Sequence, residues 1–281
     1  MTRFAYVDGE TLPVSEATVS IEDRGFLFGD GVYDVVRLFE GRYFRLDRHL
    51  DRLLDNAASL EMAGLPEADG LREIAEQLRR RSDVDDGMLY LQVTRGCGPR
   101  QSSYPSDPEP TVVLYIDRMR RPVDQFRESG AEAMIVPEVR WRRCDIKSVN
   151  LLPKVTMKQR ATEQGCYEAL FTDEDGTIWE GTSTNFFVVQ DGVVRTTDHE
   201  ERVLPGLTRR EIVEIAAEES IPVELSRVTL ADVRQADEAF LTGTLTEVLG
   251  LTAIEGEPVG DGTVGPMTRR LYERLRERMG G

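Results

Sequence analysis

The chain has 281 residues, 40% of them hydrophobic, enough to fill one large core or two of about 120–160 residues each and too many for a disordered segment. Its formal charge is −16, which repels phosphate backbones and anionic lipid, so neither nucleic acid nor a membrane surface is an expected partner. No apolar run approaches the roughly 20 residues of a bilayer span, the opening Met-Thr-Arg-Phe-Ala-Tyr-Val-Asp-Gly has no apolar signal region, and Cys97, Cys144 and Cys166 have neither pairing nor metal-ligand spacing. A cytoplasmic protein is expected.

In chain order, Phe4–Val7 and Thr11–Val14 read as short strands around an Asp8-Gly9 turn, and Val35–Phe39 and Tyr43–Leu46 as a hairpin turning at Glu40-Gly41. Asp47 suits the N-cap of a helix from Arg48 to Met62, whose Leu50, Leu53, Leu54 and Ala57 repeat at helical spacing, and a second amphipathic helix spans Leu71–Arg80. Met88–Thr94 and Thr111–Ile116 are strands rich in Val, Leu and Tyr. The long Gly/Pro-rich loop between them is of the kind that carries function or moves. The basic stretch Asp117–Pro122 marks a boundary, giving an N-terminal α+β domain over 1–118, a linker over 119–124 and a C-terminal domain over 125–281.

The second half opens with strand Ala133–Val136, then a helix near Thr156–Gln164 and strands at Glu168–Thr172, Thr177–Glu180 and Asn185–Val189. Helix Leu207–Glu218 follows Pro205-Gly206, strand Ala239–Thr242 leads into Gly243-Thr244-Leu245-Thr246-Glu247, and a charged helix runs from Pro266. Strands outnumber a clean βαβ alternation, which favours an α+β fold over a doubly wound sheet.

The three lysines, Lys147, Lys154 and Lys158, all fall within twelve residues of a chain that otherwise uses Arg. Lys can form a Schiff base or act as a base; Arg, always protonated, can do neither. Gly29-Asp30-Gly31 does not complete a dinucleotide fingerprint, because Asp34 stands at the third glycine position. The two histidines, His49 and His199, stand apart, which argues against Ser-His-Asp hydrolysis and His-based metal sites. Gly206-Leu207-Thr208 at a helix start and Gly243-Thr244-Leu245 after a strand are suited to an anionic group held by backbone amides, although each alone also suits an ordinary turn or cap.

Several segments together resemble the fold-type-IV pyridoxal-phosphate enzymes, the class IV aminotransferases. They are Asp23-Arg24-Gly25, Phe28-Gly29-Asp30-Gly31-Val32-Tyr33, Arg48-His49-Leu50-Asp51-Arg52-Leu53, Asp145-Ile146-Lys147, Glu180-Gly181-Thr182-Ser183-Thr184-Asn185, Leu204-Pro205-Gly206-Leu207-Thr208-Arg209 and Thr244-Leu245-Thr246-Glu247, in the family's order and over nearly the whole chain. The resemblance implies a two-domain architecture, a small N-terminal α/β domain and a larger C-terminal pseudo-barrel, with the cofactor pyridoxal 5'-phosphate at the domain boundary of a homodimer. It implies that Lys147 carries the cofactor as a Schiff base and then moves the substrate proton. It also places Glu180 opposite the pyridine nitrogen, which it keeps protonated. Arg52 would neutralise the phosphate, with Leu207, Thr208, Gly243 and Thr244 as donors; Arg140, Ser183 and Thr184 would lie near the cofactor, and His49 would brace its helix.

On the substrate side, Val93-Thr94-Arg95-Gly96, Pro99-Arg100 and Trp141-Arg142-Arg143-Cys144-Asp145-Ile146-Lys147-Ser148 look most like the D-amino-acid aminotransferases. Their tyrosine and arginine for the substrate carboxylate match Tyr33 and Arg100, the latter expected to reach across from the neighbouring subunit. Ser102 stands where the family has histidine. The implied reaction is a ping-pong exchange of the amino group between a D-amino acid and a 2-oxo acid. Branched-chain aminotransferases are the alternative: their Gly-Thr-Ala turn is partly kept as Gly243-Thr244-Leu245, placing Leu245 at the substrate, but Leu152 replaces their tyrosine five residues after the lysine. An aminodeoxychorismate lyase would use the same Lys and Glu.

Overall fold

A computed structural model describes residues 3–119, 122–198 and 200–280; His199, and Arg120 and Arg121 of the expected linker, lie outside the described residues. The chain forms two compact units, Met1–Arg120 with Ile146–Leu151, and Arg121–Asp145 with Leu152–Gly281. The segment around Lys147 thus leaves the second half of the chain and packs with the first.

The first unit holds β1 (Phe4–Val7), β2 (Glu10–Pro13), α1 (Arg24–Phe28), β3 (Gly31–Phe39), β4 (Arg42–Tyr43), α2 (Leu46–Ser59), α3 (Ala68–Arg81), β5 (Gly87–Thr94) and β6 (Thr111–Arg118). Its strands form one antiparallel sheet in the order β2-β1-β6-β5-β3-β4. Leu89, Leu91 and Val93 alternate with outward residues along β5 and bury one face. Helices α2 and α3 cover that face with Leu46, Leu50, Leu53 and Ala57, and with Leu71, Ala75 and Leu78, spaced by three and four as the helical repeat requires. Leu50 and Leu53 are almost fully buried, and each contributes about 1.5–3 kcal/mol by leaving water.

Helix α2 begins two residues earlier than the sequence suggests. Its N-cap is Arg45, held at φ 58° with no side-chain capping bond, and Asp47 lies in the first turn, where its charge favours the helix dipole without capping it. The chain turns left-handed at Arg45 directly after β4, so the expected strand Tyr43–Leu46 ends at Tyr43. The short helix α1, unforeseen in the sequence, is capped by Asp23, whose carboxylate accepts from the Gly25 amide, and ends on Gly29 at φ 68°.

The second unit holds β7 (Ala131–Pro137), α4 (Leu152–Glu163), β8 (Glu168–Thr172), β9 (Thr177–Gly181), β10 (Asn185–Gln190), β11 (Val193–Thr196), α5 (Leu207–Glu218), β12 (Val223–Leu225), β13 (Val228–Thr229), α6 (Leu230–Val233), β14 (Glu238–Gly243), β15 (Glu247–Ile254), β16 (Glu257–Pro258) and α7 (Pro266–Gly280). The sheet runs β12-β11-β10-β14-β15-β7-β8-β9-β13, with β16 beside β15. Strands β8 and β9 are buried along their whole lengths, Glu168 and Glu180 included, so their carboxylates must find partners inside the unit. The sheet curls back on itself. The Thr197 hydroxyl, just past β11, donates to the carbonyl of Ile178 on β9 at 2.8 Å although five strands lie between β11 and β9 in the sheet order. The architecture is α+β, as expected, with a pseudo-barrel sheet in the larger unit.

Candidate active site

In the first unit, β3 positions the lysine. Tyr33 N donates to the Lys147 carbonyl at 3.0 Å and Val149 N to the Gly31 carbonyl at 3.0 Å, so the Lys147 segment lies along the edge of β3 that β4 leaves open. The Lys147 amide donates to Asn56 Oδ1 of α2 at 2.5 Å, and its ammonium sits 4.4 Å from the centre of the Tyr33 ring. Tyr33 itself stacks on Tyr90 at 5.8 Å. Lys147 and Tyr33, both half-buried, are therefore brought together.

Asp34, the next residue on β3, is wholly buried and binds two side chains of α2, His49 and Arg52. His49 Nδ1 is 2.7 Å from Asp34 Oδ1, and Arg52 Nε and Nη2 each donate to the carboxylate at 2.9 Å. Burial alone would raise the Asp34 carboxyl, but Arg52 and His49 hold it far below the usual carboxylate range. Burial lowers His49, as do the Arg52 and Lys147 charges, against the opposing pull of Asp34. The sequence reading passed over Asp34. Its parity with Val32, Val36 and Leu38, all buried on β3, was the available signal that it points into the core.

Arg100 and Ser102 are exposed on the β5–β6 loop. Arg100 lies over the Phe28 ring at 5.8 Å, and Gln101 between them is tied by its carbonyl to Arg24 at 2.8 Å.

In the second unit, Glu180 closes β9 with 2% of its surface exposed. It accepts from the Leu204 amide at 2.9 Å, from Lys154 Nζ at 3.2 Å and from Arg140, which also binds Glu138, donates to the Arg202 carbonyl at 3.2 Å and lies 4.4 Å from the Phe171 ring. Burial opposes ionisation, but Lys154 and Arg140 together hold the carboxyl below its ordinary value. Lys154, assigned no role in the sequence reading, thus shares an oxygen of Glu180 with Arg140. Burial pushes the Cys144 thiol up to about 11, so it is no nucleophile at neutral pH.

Glu168, buried at the start of β8, organises the turn after Glu180. Its carboxylate accepts from the hydroxyls of Thr182 at 2.5 Å and Thr184 at 2.9 Å, and lies 3.4 Å from the Ser183 amide and hydroxyl. Thr184 is buried and Ser183 exposed. Next to Glu168, the Tyr167 hydroxyl meets Thr246 Oγ1 at 2.9 Å and steadies the Gly243-Thr244-Leu245 turn that joins β14 to β15. Glu168 and Tyr167 were missed because no motif frames them.

The residues suit a phosphorylated cofactor. Helix α5 starts at Leu207 behind Gly206, with no side-chain cap on its first-turn amides. A Cβ on Gly206 would stand 1.9 Å from Asn185 Oδ1, so the tight approach requires glycine. The Thr242 hydroxyl is buried with no partner, one residue before Gly243. Thr208, Thr244 and Leu245 are half-buried around these two turns. Among the described residues no His, Cys, Asp or Glu cluster could hold a metal, and no helix is long and apolar enough to cross a membrane.

Residues 31–254 match the amino-transferase class IV family, and the chain belongs to it; the family's enzymes depend on pyridoxal phosphate. Among curated proteins it is similar to the D-alanine aminotransferase of Bacillus licheniformis, 38% identical over 271 residues covering 95% of this chain and 94% of that protein. The D-alanine aminotransferase of Staphylococcus haemolyticus is 35% identical, covering 97% and 96%. Among solved structures, a T.th. branched-chain amino acid aminotransferase with pyridoxamine 5'-phosphate superposes with a TM-score of 0.91 at 26% identity, over 99% of this chain and 94% of that one. The branched-chain enzyme of Escherichia coli gives 0.92 at 24% identity, again over 99% and 94%, and shows the shared fold.

Proposed function

We propose that this enzyme moves the amino group between D-amino acids of the D-alanine and D-glutamate type and 2-oxo acids, in two half-reactions that alternate at one site. The observation that carries this reading is the full-length similarity to D-alanine aminotransferases at 35–38% identity. Local geometry supports it. Leu152, where a branched-chain enzyme would have tyrosine, is 74% exposed and offers no hydroxyl. The chain spans nearly the whole of those relatives.

The cofactor supplies an electron sink for the charge left when a substrate Cα loses its proton. Lys147 is assigned two tasks, covalent attachment through Nζ and transfer of that proton once a substrate has displaced it. Its backbone is fixed by Tyr33, Asn56 and Val149's strand pairing, so only the side chain has to move. Glu180 would hold a proton on the ring nitrogen. It can do so only as a carboxylate, which Arg140 and Lys154 enforce. Arg52, oriented by Asp34, would neutralise the phosphate, with the α5 amides, Thr208, Gly243 and Thr244 as donors. Ser183, Thr184 and Arg140 would frame the ring. Tyr33, Arg100, Ser102 and Leu245 would receive the substrate, with the Arg100 guanidinium as the fork for its carboxylate. A cytoplasmic homodimer is proposed with these roles, Arg100 serving the partner's site.

The test is chiral analysis of the products from D-alanine and 2-oxoglutarate. Pyruvate and D-glutamate are expected in equal amounts. L-glutamate, or no product from D-alanine with rapid conversion of L-leucine, would replace this reading with the branched-chain one.

A further inference from the structure

Among the buried charge clusters, the one in which Arg24 and Arg95 share Asp30 takes part in no role assigned above. Asp30 Oδ2 accepts from Arg24 Nε at 2.8 Å and from Arg95 Nε at 2.9 Å. Both arginines are almost fully buried, at 3% and 2% exposure. Two rigid guanidinium forks sharing one carboxylate make a framework that resists rotation of either.

Each fork then grips the β5–β6 loop or its root. Arg95 begins the loop. It donates to the Leu60 carbonyl at 2.7 Å and carries the Tyr104 ring at 3.5 Å. Arg24 Nη1 donates to the carbonyl of Gln101 at 2.8 Å, and its guanidinium lies over Phe28 at 4.7 Å, the same ring that Arg100 covers. Backbone pairing at Gly96 with Arg24 N and at Gly98 with the Glu22 carbonyl holds the near side of the loop. Beyond Gly98, among the described residues, the Arg24 bond is the one hydrogen bond from outside the loop that reaches Pro99–Ser103. It falls on the peptide between Arg100 and Ser102.

We infer that Arg24, oriented by Asp30, is a positioning residue for substrate recognition: it fixes the loop backbone so that Arg100 and Ser102 meet the substrate carboxylate in one geometry. The inference rests on the reading that Arg100 and Ser102 receive that carboxylate. A loop anchored at its midpoint loses little entropy on binding, whereas a released loop must be ordered by the substrate itself. The effect therefore falls on substrate affinity. Cofactor binding, which uses none of these residues, is spared.

The experiment compares the holoenzyme with Arg24→Met, Arg24→Lys and Arg100→Ala. Loss of a charge-assisted bond to a loop predicts that Arg24→Met raises the KM for D-alanine about tenfold, with kcat little changed and cofactor absorbance intact. Amide hydrogen exchange in the peptide covering Gly98–Tyr104 should quicken in the same variant, a readout independent of turnover. Arg24→Lys, which retains the charge and can make one of the two bonds, should fall between and decides the matter if Arg24→Met does not fold. An unchanged KM and unchanged exchange in the Arg24 variants, beside a raised KM in Arg100→Ala, would overturn the positioning role alone. An unchanged KM in Arg100→Ala would overturn the carboxylate reading and this inference with it.

Discussion

Asp34 shows how one buried side chain ties a strand to the helix that covers it. Its carboxylate is shared by Arg52 and His49, and neither oxygen is left without a donor. Replacing one partner of a buried ion pair strands the other, so Asp34→Asn should cost about 3–5 kcal/mol, read by urea unfolding of the apoprotein. A loss below about 1 kcal/mol would place the cluster among weak surface pairs. The same groups set the pH response. Asp34, His49 and Glu180 all have folded values below their ordinary ones of 3.8, 6.5 and 4.5. Between the folded and unfolded value of each, the unfolded chain binds more protons, so stability rises with pH there. The His49 contribution is complete above 6.5 and declines as pH falls below it, and the carboxylate contributions follow below 4.5 and 3.8. Melting temperatures followed from neutral to acid pH should therefore fall in two stages, and a flat profile down to the carboxylate range would contradict the burial of His49. Lys147→Ala should lose the visible absorbance of the bound cofactor and essentially all turnover, as absorption spectra and a coupled assay would show.

At the scale of elements, helix α5 and the terminal helix α7 begin at the expected residues because Gly206 and Pro266 punctuate the chain there. The expected α2 start failed because Arg45 adopts a left-handed turn that nothing in its side chain signals. Strand β15 escaped notice since Gly250 interrupts its apolar run, a residue required by Val264, whose Cγ1 would stand 2.8 Å from a Cβ. The motifs single out Lys147, Glu180 and Arg52 as candidates. The partners Asp34 of Arg52 and Lys154 of Glu180, and Glu168 beneath the turn after Glu180, carry no such signal, because what matters for these is long-range contact and not local spacing. At Gly206 the local rule and the contact coincide. Gly206→Ala places a methyl against Asn185, and overpacking of this kind costs about 1–3 kcal/mol. We expect weakened pyridoxal-phosphate binding by equilibrium dialysis, and wild-type affinity would show that the α5 turn does not hold the phosphate.

For the whole molecule, the formal charge is −16, whereas the buried positive groups named here are held against specific carboxylates or aromatic rings, often two to one carboxylate. The 2-oxo acids and glutamate carry net negative charge and are repelled by that overall field, so on the proposed reading local guanidinium groups offset it at the site. On the proposed reading, selectivity then lies in a few side chains and in the loop carrying Arg100. The most direct measurement is a single half-reaction: the yellow holoenzyme is mixed separately with D-alanine, D-glutamate, L-leucine and L-glutamate, and the loss of its visible absorbance is followed by stopped flow. Rapid bleaching by the D-amino acids, with the L-amino acids leaving the spectrum unchanged, is the predicted result. Bleaching by L-leucine and L-glutamate in place of the D-amino acids would contradict it.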